Sequence, residues 1–80
     1  MDLESLPTRP PIPPGVLRDH EAAERTLLAA AVQYTKASDA IAAGRPVTIA
    51  DLSTAESAYA LLKVSAKAYG RAHAELVAAS

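Results

Sequence analysis

The chain has 80 residues and contains no cysteine, no tryptophan and no phenylalanine. Without a thiol there is no disulfide framework, no thiolate nucleophile and no cysteine-based metal centre. Without Phe or Trp, stacking on nucleic-acid bases would rest on the three tyrosines. Charge of one sign is also missing. Eight Lys and Arg face nine Asp and Glu, for a net charge of −1, which gives no general pull toward DNA or an anionic membrane. The longest apolar run, Leu27 to Val32, is far short of the ~20 residues that span a bilayer. The first residues, Met1 to Ser5, are acidic where a signal peptide is basic. The expected location is the cytoplasm, or a virion that incorporates the protein. Paired acid/base carboxylates, a Gly-rich phosphate loop and a nucleophile elbow do not occur either. The expectation is no enzyme, no cofactor and no bound metal.

What is present is unevenly distributed. Five of the six prolines fall in the first fourteen residues, and all nineteen alanines fall from Ala22 onward. Proline fixes φ and disfavours helix in the residue before it. Alanine is the best helix former. The chain therefore divides into an extended proline-rich arm over residues 1–15 and a helical body over residues 16–80. The fold class expected is all-α: an antiparallel two-helix hairpin preceded by the arm.

The first helix is expected at about 18–43. Asp19 can cap it, and Glu21 and Glu24 suit the positive end of its dipole. Glu21 and Arg25 have the spacing of an i,i+4 ion pair. Its seam reads Leu27, Ala31, Tyr34, Ser38 and Ile41, widened by Leu28 and Val32. Gly44 suits a left-handed position after the last turn, and Pro46 blocks continuation. The loop over 44–48 is short enough to force the helices antiparallel. Thr48 and Asp51 have capping-box spacing, with Val47 and Leu52 placed as a hydrophobic staple. The second helix is expected at about 49–78.

Helix 2 carries two stripes. Leu52, Ala55, Tyr59, Leu62, Ala66, Tyr69, His73 and Leu76 follow alternating steps of three and four, a heptad pattern. Ala58, Leu61, Ser65, Ala68, Ala72 and Ala79 lie beside it. One partner helix covers one stripe well, so the other points to a further chain. The candidate partner interface is therefore Leu52, Tyr59, Leu62, Tyr69, His73 and Leu76, together with Ala58, Leu61, Ala68 and Ala72.

His20 and His73 are the only histidines, and no thiolate is available to join them as a metal ligand. His73, on the seam, reads as a partly buried or register-setting side chain, and as a possible pH-sensitive contact. Lys63, Lys67 and Arg71 form a ridge that could follow phosphates. It reads more simply as a solvated face with Arg71 paired to Glu75, so nucleic acid is not an expected partner. Tyr34, Tyr59 and Tyr69 read as core or interface aromatics. In the arm, Pro7 to Pro10 and Pro10 to Pro13 match PxxP, without the arginine spacing of usual SH3 ligands. A polyproline segment loses little entropy on docking, and Leu3, Leu6 and Ile12 offer anchors.

These readings converge on a non-enzymatic assembly protein with a protein partner or a second copy. An accessory subunit of a bacterial or phage complex, such as a capsid or tail stabiliser, has this shape, with the arm laced over a neighbour. The alternative is a regulatory binding module, an inhibitor or antitoxin-like adaptor, that occupies a partner's groove.

Overall fold

The computed structural model describes residues 11–80. Among them there are two helices and no strand: α1, Pro14–Ala42, and α2, Ile49–Ala79. They pack side by side as a hairpin.

Helix α1 begins earlier than expected. Pro13 sits at the N-cap with φ −56° and ψ 135°, a polyproline conformation, and Pro14 is the first helical residue. The Pro13 carbonyl accepts from the Val16 and Leu17 amides at 3.0 and 3.4 Å. Proline suits the first helical position because its missing N–H would be unpaired there anyway and its φ is already helical. The prolines thus set the helix start rather than delaying it. The arm ends at Pro13, Gly15 lies inside α1, and Asp19 is a second-turn residue rather than the cap. Of the arm anchors, Leu3 and Leu6 lie outside the described residues, and Ile12 is half-buried.

The turn follows its sequence signals. Helix α1 ends at Ala42, and Gly44 has φ +83°, a left-handed conformation that only glycine adopts without strain. Residues 43–48 form the loop. The Thr48 hydroxyl accepts from the Asp51 amide at 3.1 Å, and the Asp51 carboxylate accepts from the Thr48 amide at 3.0 Å. This is the reciprocal capping box, with Asp in place of Glu.

Burial shows how the hairpin closes. In α1 the inward residues are Val16, His20, Ala23, Leu27, Ala30, Tyr34, Ala37 and Ile41, in alternating steps of four and three. In α2 they are Ala55, Ala58, Leu62, Ser65, Tyr69, Ala72, Leu76 and Ala79. The buried positions are all small: Ala30, Ala37, Ala58 and Ser65. The backbones therefore approach closely at alanine and serine, while the larger seam residues flank them half-buried. Ala30 and Ala37 lie deeper than the expected Ala31 and Ser38. Leu28 and Val32 do not widen the seam; both are more than half exposed. One residue is 100° of helix, so Leu28 turns away as Leu27 turns in.

Two expected ion pairs do not close. Among the described residues the only ion pair is Arg45 with Asp51, so Glu21–Arg25 and Arg71–Glu75 are not within ion-pair distance. Exposed i,i+4 pairs contribute only a few tenths of a kcal/mol, too little to hold two solvated side chains in one geometry.

Candidate protein interface

The intramolecular seam takes alternate members from both helix 2 stripes. Ala55, Leu62, Tyr69 and Leu76 come from the first, and Ala58, Ser65, Ala72 and Ala79 from the second. Positions seven apart in each stripe face α1, and the intervening ones fall on two outer flanks. Of the candidate interface residues, Ala58 is buried, and Leu62, Tyr69, Ala72 and Leu76 are half-buried in the hairpin. Leu52, Tyr59, Leu61, Ala68 and His73 are exposed.

The first flank carries Leu52, Tyr59, Ala66 and His73 of α2, with Leu52 at 52% and Tyr59 at 49% exposure. In an antiparallel pair the matching register of α1 supplies Leu17, Glu24, Ala31 and Ser38, with Leu28 beside them. Tyr59 tilts against Tyr34 of α1 with ring centroids 5.6 Å apart. Lys63 lays its ammonium over the Tyr59 ring at 4.7 Å, which covers part of an apolar ring with a mobile charged chain. The second flank carries Leu61 and Ala68. Near the loop it opens into a groove of about 620 Å³ lined by Gln33, Ala37, Ala40, Thr54, Ala58 and Leu61, among others.

No large side chain among the described residues is fully buried. Ten large hydrophobic residues are exposed, among them Leu28, Val32, Ile49, Val64 and Val77. Scattered surface leucines are ordinary. Here the exposed members outnumber the buried ones, and a hairpin of two helices has no further layer to cover them.

At the loop end, both guanidinium nitrogens of Arg45 donate to Asp51, Nη1 to Oδ2 and Nη2 to Oδ1, each at 2.9 Å. These bonds, followed by that from the Thr48 amide, hold the Asp51 carboxyl well below the usual carboxylate range. The same contact raises the Arg45 pKa. This bidentate clip ties the loop to the first turn of α2. Its sequence signal was the six-residue spacing from Arg45 to Asp51 across a turn, which becomes readable only once the turn geometry is known.

At the open end, His73 meets His20. His73 Nδ1 and His20 Nε2 are 3.4 Å apart. Tyr69 packs on both rings, with centroids 5.2 Å from His20 and 5.8 Å from His73, nearly parallel to the latter. His73 is exposed rather than buried in the seam. Its partner across the hairpin was not visible from either histidine alone.

Lys63, Lys67 and Arg71 are all exposed. Among the described residues no group of three or more His, Cys, Asp or Glu comes together at metal-binding distance, and no helix is long and apolar enough to cross a membrane. No family model, curated protein or solved structure matches the chain.

Proposed function

We propose that this chain is a non-enzymatic assembly protein whose hairpin completes its helical core with a second copy of itself. The observation that carries the reading is the missing second layer: the buried core is three alanines and a serine, while Leu52, Tyr59 and Leu61 stand half exposed on its flanks. Helices with apolar residues beyond one stripe bury the remainder against another element.

The first flank is self-complementary. In an antiparallel copy related by a two-fold axis between Leu62 and Lys63, Tyr59 faces Ala66 and Leu52 faces His73. Large meets small at the Tyr59–Ala66 level, as interdigitating layers require, and the contact is isologous, as in most homodimers. Leu17, Leu28, Leu52 and Tyr59 of each copy are roughly half exposed. At about 1 kcal/mol for each half side chain, eight of them supply about 8 kcal/mol. Association costs at least about 4 kcal/mol of that, so the pairing is concentration-dependent rather than permanent. The arm would lace across the neighbouring subunit and strengthen it, and a larger assembly would recruit the same flanks.

The test is sedimentation equilibrium of the full chain and of Tyr59→Glu/Leu52→Glu. The expected result is a mass that rises with concentration for the parent and stays monomeric for the variant, with equal helicity. A parent that is monomeric at millimolar concentration refutes the second copy as the occupant. Stoichiometric capture of one different protein would then favour the regulatory-module reading.

A further inference from the structure

The two histidines converge from opposite helices at the open end of the hairpin, far from the Arg45–Asp51 clip at the loop. Their nearest ring nitrogens, His20 Nε2 and His73 Nδ1, are 3.4 Å apart. With a proton on one nitrogen this is a long hydrogen bond, beyond the usual ~2.7–3.2 Å of an N–H donor; with both nitrogens unprotonated the separation suits a shared ion. It is the separation of two donors on one tetrahedral ion, since metal–nitrogen bonds of about 2.0–2.1 Å at the tetrahedral angle place the nitrogens roughly 3.3–3.4 Å apart. We propose that His20 and His73 form a two-histidine site for a borderline divalent transition metal, of which Zn²⁺ is the probe, that clips α1 to α2.

Three features support the assignment. Imidazole nitrogen suits Zn²⁺, Cu²⁺ and Ni²⁺ and not the hard ions Mg²⁺ and Ca²⁺. Tyr69 backs both rings, at 5.2 and 5.8 Å between centroids, and so limits their rotation; it is a positioning residue, not a ligand. Both histidines retain solvent access, so an ion can enter. No third carboxylate, thiolate or histidine among the described residues joins them, so water completes the coordination shell. Such a site is an open clip, unlike a closed four-ligand structural centre. It binds the folded hairpin in preference to the unfolded chain, in which the two rings are 53 positions apart. It therefore stabilises the fold by mass action. Self-association would set Leu52 of the second copy against His73, so the site is tested on the dilute single chain.

The test uses the full chain with zinc chloride, and magnesium chloride as the hard-ion control. Saturating Zn²⁺ is expected to raise Tm by at least about 4 °C, while Mg²⁺ leaves it unchanged. His20→Ala and His73→Ala should each lose the rise and bind Zn²⁺ at least about tenfold more weakly by calorimetry, because a second tethered ligand acts at high effective concentration. Should either variant fold poorly without metal, the parent alone decides. On titration with Zn²⁺, the imidazole resonances of both histidines should shift together and saturate at one ion per chain. No rise in Tm, an equal rise with Mg²⁺, a rise retained by either well-folded variant, or a response from one histidine only would overturn the site.

Discussion

Replacing Ala30 with leucine tests how the hairpin closes. Ala30 is 1% exposed, the most buried residue described. In a two-helix structure only the opposite helix can cover it, so its methyl group packs directly against α2. Leucine has the intrinsic helix propensity to sit there, so any loss of stability comes from packing. The added atoms must either separate the helices or take a strained rotamer, and overpacking of this kind costs about 1–3 kcal/mol. For a domain of this size 1 kcal/mol shifts Tm by about 4–8 °C, so the expected loss is at least about 4 °C. Ala60, exposed on α2, is the control, since leucine there changes stability by less than about 0.5 kcal/mol. Thermal unfolding followed by circular dichroism reads both. An Ala30→Leu variant as stable as the parent, or an equal loss in Ala60→Leu, would refute the small-residue seam.

The glycines give opposite signs for one substitution. Gly44→Ala should destabilise by about 1–2 kcal/mol, because φ is +83° with open space around the missing Cβ, so the cost is left-handed backbone alone. Gly70→Ala, mid-helix with nothing near its Cβ, should stabilise by about 0.5–1 kcal/mol; denaturant melts measure both. Thr48→Ala removes the capping hydroxyl and should cost about 1 kcal/mol, with Thr48→Ser close to the parent. Acid should weaken the Asp51 clip. Its folded pKa lies below the unfolded value, so its contribution is complete above the unfolded pKa and declines from about pH 5 downward. Asp51→Asn should flatten that part of the stability–pH profile, and an unchanged slope in this variant would contradict the assignment.

The fold was legible where local chemistry decides it. The Thr48–Asp51 box, the left-handed Gly44 and the proline block at Pro46 each act within a few residues, and the start of helix 2 followed from them. Helix α1 starts at Pro14 rather than near residue 18, because the first helical position is the one that favours proline. The heptad period of helix 2 was correct, but its phase was not. Leu62 and Tyr69 from one stripe and Ala58 and Ser65 from the other form a single seam, because a close approach selects small residues at alternate levels. Nothing within helix 2 states that preference; it depends on Ala30 and Ala37 opposite. The His20–His73 meeting was invisible for the same reason, since it depends on the register between helices.

The exposed flanks at Leu52, Tyr59 and Leu61 are proposed to be covered by another copy. Solution mass of the full chain across a concentration series, by sedimentation equilibrium, tests this most directly. The expected mass is 8.3 kDa at high dilution, rising toward twice that value as concentration approaches the millimolar range, since a net gain of about 4 kcal/mol corresponds to a Kd of about 1 mM. A stable, cooperatively folded species that holds the single-chain mass across the whole series would contradict it.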